Sequence, residues 1–265
     1  MMDASKTDLD FLVRDMLGSS GDFPQYAYGL TLACIQAKLL GIQSISALEL
    51  GVAGGNGILE LERLAQILYK KTDVFVDVFG FDLGTGMPAP QGFRDSPYIW
   101  QEGFFKMDYT KLVSNLKMAR LIIGDIGETA STFLSKYLQH PIGFISFDLD
   151  YYSSTKKAFD SLICCKADKY FLPRTLSYFD DTVGPHEEFH CNFTGEMLAI
   201  KEFNTSSDCR KFCKINGLQW KVENYAGSWV EGMYVLHHFE HPHYNHYIFS
   251  QRDRQFPLVN ENDRR

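Results

Sequence analysis

Nowhere in the 265 residues is there an apolar run of about 18, so no segment has the reach of a membrane-spanning helix. Positive charge is also short. Lysine and arginine number 26 against 33 acidic residues, and the formal net charge of −7 argues against a nucleic-acid backbone as partner. Cysteine is sparse and unpatterned: Cys34, Cys164, Cys165, Cys191, Cys209 and Cys213 spell neither a zinc ribbon nor a disulfide framework, and read as reduced thiols. Asn192-Phe-Thr and Asn204-Thr-Ser match the glycosylation acceptor pattern, but the acidic opening MMDASKTDLDF lacks the basic and apolar regions of a signal peptide. The expectation is a cytoplasmic chain. Two nucleotide signatures are missing as well: no G-x-x-x-x-G-K-[ST] loop occurs, and Ala53 interrupts a G-x-G-x-x-G reading.

What is present begins at residues 44–57, SISALELGVAGGNG, where an apolar strand ends in Glu49 and a loop of four glycines, Gly51, Gly54, Gly55 and Gly57. Glycine lets a backbone approach a ligand where a Cβ would collide. Ile58, Leu61, Leu64, Ala65 and Leu68 then recur at helical spacing, which predicts a helix over 57–71. Further apolar strands are predicted at 73–82, 118–125, 143–150 and 176–181, with helices at 128–138 and 153–163, the latter capped by Ser153 or Ser154. Strands alternating with helices imply a parallel sheet with right-handed crossovers. Residues 220–225 and 233–238 read as an antiparallel hairpin closing it, giving seven strands in all. Residues 1–43, with an apolar helix at 26–40, read as an N-terminal helical cap, 44–250 as the main domain and 251–265 as a charged, frayed tail.

Open parallel sheets take ligands at the carboxyl ends of their strands. Glu49, Asp82, Asp125, Asp148, Asp150, Asp180 and Asp181 occupy those ends. Beside the glycine loop, Glu49 and Asp82 can accept hydrogen bonds from the ribose or amino end of a nucleoside cofactor. Asp148 and Asp150 lie two apart on a predicted extended strand end and therefore point to one side. Asp180 and Asp181 end the next strand. Carboxylates converging in this way repel one another and are costly to desolvate unless a cation joins them. All-oxygen donors suit a hard ion, Mg²⁺ before Ca²⁺ or Mn²⁺.

The run E-x-G, then G-G-N-G and a helix, is similar to motif I of S-adenosylmethionine-dependent methyltransferases. ELGVAGG, FGFDLGTGMPAP, FKMDYTKLVSNL, GFISFDLDYYSSTKKAFDSL and YFDD, in that order, resemble successive blocks of the macrocin O-methyltransferase family over residues 45–205. Its members methylate sugar hydroxyls in antibiotic biosynthesis. Leu149 and Tyr151 depart from the family's pattern, the latter where some relatives carry a histidine. The resemblance implies a Rossmann-like class I methyltransferase fold, with Glu49, Gly51, Gly55, Asp82, Asp125 and Ile126 holding S-adenosylmethionine. It further implies Asp148, Asp180 and Asp181 as ligands of Mg²⁺ or another hard divalent ion, Asp150 as general base, and a small hydroxylated acceptor, sugar or catechol-like phenol. Loss of catalysis, leaving a cofactor-binding interaction module, is the rival reading.

Residues 84–106, rich in proline and aromatics, read as a substrate lid, or equally as an interface in a homo-oligomer. His186 and His190 follow the YFDD block, as an alternative base, substrate contacts or surface residues. The five histidines of LHHFEHPHYNHY lack the closed spacing of a structural zinc site, and adventitious metal affinity is expected there.

Overall fold

The computed structural model describes residues 6–164 and 168–248. The predicted tail at 251–265 and Cys165 lie outside the described residues. In chain order the elements are α1 (Lys6–Gly18), α2 (Pro24–Leu39), β1 (Ser44–Leu50), α3 (Asn56–Thr72), β2 (Phe75–Asp82), α4 (Tyr109–Asn115), β3 (Arg120–Ile123) and α5 (Ile126–Thr132). They continue with β4 (Ile142–Phe147), α6 (Tyr152–Ala158), β5 (Phe171–Phe179), α7 (Gly195–Ser206), β6 (Arg210–Lys214), α8 (Leu218–Lys221) and β7 (Met233–His238). α5 and α6 each run on into a π-helical turn, Phe133–Tyr137 and Phe159–Ile163.

All seven strands form one sheet in the order β3-β2-β1-β4-β5-β7-β6. The first five are parallel; β7 lies antiparallel between β5 and β6. The Rossmann-like α/β arrangement expected from the sequence is what the chain adopts. Strand order reverses between β1 and β4, and that reversal opens the crevice in which such sheets take ligands.

Two-residue periodicity sorts the strand side chains into two cores. Ile45, Ala47, Val76 and Val78 pack with α2 and α3, through Leu30, Ala33, Leu61 and Leu64. Leu48, Leu50, Phe79 and Phe81 face the other way, onto Ile126, Ala130, Phe147 and Phe179. α2 belongs to the first helical layer, and Gly29 lies so close to Phe144 that a Cβ would stand 2.3 Å from the ring. On the other face, Phe147 and Phe179 stack at 4.4 Å between centroids, with Phe159 and Phe212 packed edge-on against Phe147. Phe147 and Phe179 are the last residues of β4 and β5, so this packing fixes where the following aspartates emerge.

Three sequence expectations are corrected. The strand at 220–225 is absent: Leu218 and Val222, spaced by four, are both buried, and the segment turns helically after Gly217, whose φ is 70°. β7 pairs instead with β6, a short charged strand, RKFCK, whose pattern carries little apolar signal. Neither Ser153 nor Ser154 caps α6, whose N-cap is Tyr151. Finally, β4 stops at Phe147, so Asp148 and Asp150 lie beyond the extended strand.

Candidate active site

A cavity of about 390 Å³ opens at the carboxyl ends of β1 to β5. Its walls include Gly51 and Ala53 on one side, Asp125 and Ile126 on a second, and the aspartates after β4 and β5 on a third.

The glycine loop is built tightly. Gly51 has φ 92°, and a Cβ there would stand 1.7 Å from the Asp148 carbonyl oxygen, so glycine is what allows the ends of β1 and β4 to approach this closely at the crevice. Gly55, also expected at the cofactor, does not line the cavity; it accommodates Leu112, which a Cβ would approach to 2.3 Å. Asp82 lines the cavity while its carboxylate accepts hydrogen bonds from the Val52 and Ala53 amides, both at 2.9 Å, and from Gly84 at 2.6 Å. Part of its capacity thus shapes the loop itself.

Glu49 lies behind that loop, 2 % exposed and outside the cavity wall. Tyr26 donates to its Oε1 at 2.7 Å, while Oε2 has no partner. Burial pushes its carboxyl up to about 8, the Tyr26 hydrogen bond lowering it and the Asp82 charge adding to the rise. Asp125 caps α5 by accepting from the Gly127 amide at 2.7 Å and pairs with Lys157 at 2.6 Å; both Asp125 and Lys157 line the cavity.

Asp148, Asp150 and Asp181 each offer a carboxylate oxygen within a set spanning no more than 4.8 Å. Asp150 reaches the set by an unexpected route. Its φ is 55°, and the Tyr151 amide donates to the Leu149 carbonyl across it, a three-residue turn that reverses the chain at that point. The Asp150 amide donates to Asp181 Oδ2 at 2.8 Å, linking the two loops. Asp180 also lines the cavity but stands outside the set; the Tyr178 hydroxyl donates to its Oδ1 at 2.7 Å.

Burial raises Asp148 and Asp181 well above the usual carboxylate range, and neighbouring carboxylates add to the rise in both. Asp150 is pushed up to about 7, by burial first, with Asp180 and Glu188 contributing and its hydrogen bond with Asp181 opposing. Lys157, the nearby cation of the wall, is spent on Asp125. Held this way, the aspartates favour either protons or a shared cation.

Sequence reasoning missed Glu196. From the first turn of α7 it is completely buried, accepting from the Leu149 amide at 3.3 Å and the Asp181 amide at 3.2 Å. Asp95 was missed too. Buried under residues 84–106, it accepts from the Gln91 amide at 2.7 Å and from the amide and hydroxyl of Ser153, both at 2.8 Å. Glu196 is the second residue of α7 and Asp95 closes a short turn, Phe93–Asp95, and neither position sets an acid apart in the sequence. Trp100 and Phe105 of the same segment line the cavity. His186 is exposed; His190 Nε2 sits 2.7 Å from Oε2 of Glu188, which itself lines the cavity. Among the described residues the histidine tract supplies no set of three metal donors.

No family model and no curated protein matches this chain. Among solved structures it is similar to a calicheamicin methyltransferase, at 19% identity over 81% of this chain and 90% of that one, with a TM-score of 0.48. An apo TDP-rhamnose 3'-O-methyltransferase of calicheamicin biosynthesis shares 19% identity over 81% and 92%, with a TM-score of 0.43. An O-methyltransferase from Bacillus cereus in complex with SAH shares 12% identity over 89% and 92%, with a TM-score of 0.39.

Proposed function

We propose that this chain is an S-adenosylmethionine-dependent O-methyltransferase that uses a hard divalent cation, Mg²⁺ first, to methylate a hydroxyl of a small molecule, a sugar moiety by preference. The observation that carries the reading is the convergence of Asp148, Asp150 and Asp181 on one spot, in a cavity whose opposite wall is the glycine loop. The donor set fits a hard ion: all oxygens, several acidic groups, and, among the described residues, no cationic side chain spent on them.

When bound, the cofactor supplies an activated methyl group, and the ion a positive charge that eases loss of a hydroxyl proton. The chain does the rest. Gly51 and the Asp82-ordered loop would present backbone to the cofactor, and Asp125 and Ile126 would meet its adenine. Asp148 and Asp181, with Asp180 beside them, would hold the ion. Asp150, in the same converging set, would take the acceptor's proton. Trp100 and Phe105 offer ring faces above the site; a planar phenol would suit them too, which keeps a catechol-like acceptor as the second reading.

The test is calorimetry with S-adenosylhomocysteine, with and without Mg²⁺, on wild type and Asp181→Asn. Cofactor binding with a metal effect that the variant loses supports the reading. Cofactor binding with no metal effect in either protein favours a non-catalytic binding module.

A further inference from the structure

The carboxylates after β4 and β5 belong to different loops, and something must hold those loops in mutual register. The geometry points to Glu196 as that positioning residue: it bridges the two loops from behind the cavity and sets the separation of the carboxylates that would grip the ion. This rests on the divalent-ion reading above.

Three observations carry it. Glu196 Oε1 accepts from the amide of Leu149, the residue between Asp148 and Asp150, and Oε2 accepts from the amide of Asp181. One side chain thus touches both loops, and its two oxygens are divided between them. Glu196 is fully buried, whereas a first-turn glutamate of a surface helix ordinarily points into water. Burial first, and then the nearby aspartates, raise its carboxyl well above the usual glutamate range, while the Leu149 amide and the start of a twelve-residue helix favour its charged form. A carboxylate kept there despite four aspartates nearby is useful chiefly if a cation arrives. Ionised beside a bound cation, it would add negative potential from behind without occupying the cavity wall, from which it is absent. The Asp150 amide, bonded to Asp181, closes the same circuit, so a shift at Glu196 is passed to all three converging oxygens.

Glutamine at this position keeps the shape but offers a single acceptor oxygen, and aspartate keeps the charge but is one methylene too short to span both amides. The test titrates Mg²⁺, and Mn²⁺ followed by electron paramagnetic resonance, into the full chain as wild type, Glu196→Gln and Glu196→Asp. S-adenosylhomocysteine affinity and the melting temperature of the metal-free proteins are measured alongside. Expected are an affinity for the ion at least tenfold weaker in Glu196→Gln, a smaller loss in Glu196→Asp, and cofactor affinity within twofold throughout. Unchanged ion affinity in both variants overturns the role of Glu196 and leaves the divalent-ion reading standing. Failure of Glu196→Gln to fold, or equal loss of cofactor and ion binding, overturns it in favour of a purely architectural residue. A wild type that binds neither ion removes the reading on which it rests.

Discussion

Asp150, the proposed base, adopts a strained backbone among other carboxylates. A left-handed backbone costs a residue with a Cβ about 1 kcal/mol or more, and here it also brings a carboxyl among others of like charge. Replacing Asp150 with glycine should therefore raise the melting temperature of the metal-free protein while lowering turnover about 10²-fold to 10⁴-fold, the usual worth of a positioned base. Thermal scans beside an assay for methyl transfer check both signs; a destabilised Asp150→Gly would show the turn to be held by the aspartate itself. Glu49 makes a pH-dependent contribution. Its pKa rises from 4.5 to about 8 on folding, so the native state keeps a proton that the unfolded chain has released. Stability then falls as pH rises between those two values and levels off above them. Glu49→Gln should flatten that decline, measured as melting temperature against pH from about 5 to 8. At this scale the sequence placed Asp148, Asp150 and Asp181 near one another but for a different reason, and Asp180, expected among the metal ligands, stands outside the converging set. Spacing of two suggested a shared strand face, whereas Asp148 and Asp150 converge through a turn that follows the strand. Glu196, distant in sequence from both loops, looks like any acid in the first turn of a helix.

At the level of elements, the segment 84–106 is fastened rather than free. Met87 and Phe104 are joined by a backbone hydrogen bond of 2.8 Å, and Asp95 ties the segment to the first turn of α6, next to the Asp148–Asp150 loop. Asp95→Ala leaves three donors without their acceptor, which should cost about 1–3 kcal/mol and open the segment to protease; limited proteolysis and denaturant unfolding report the two effects separately. Below the site, the stack of Phe147 on Phe179 carries more weight. Phe147→Ala should cost about 3–5 kcal/mol by chemical denaturation, because the ring is fully buried among three others. The buried central strands were legible because each is a continuous apolar run ending in an acid. β6 was not, since an edge strand protected by charge looks like a loop, and 218–225 misled because its apolar residues suit a strand until Gly217 starts a turn.

For the molecule as a whole, sheet order gathers acids that are far apart in sequence. β1, β2, β4 and β5 are neighbours whose carboxyl ends share one rim, so Asp82, Asp148 and Asp181 meet around the crevice where strand order reverses. That convergence followed from the alternating pattern alone; the inner architecture of the rim, with amides and a buried helix-borne glutamate securing it, required three dimensions. The proposed chemistry requires a divalent ion at this rim. Calorimetric titration of Mg²⁺ into the wild type with S-adenosylhomocysteine bound tests it most directly: binding of a single ion per chain, abolished in both Asp148→Asn and Asp181→Asn, is the expected result, and an absence of binding, or binding untouched by both substitutions, would contradict it.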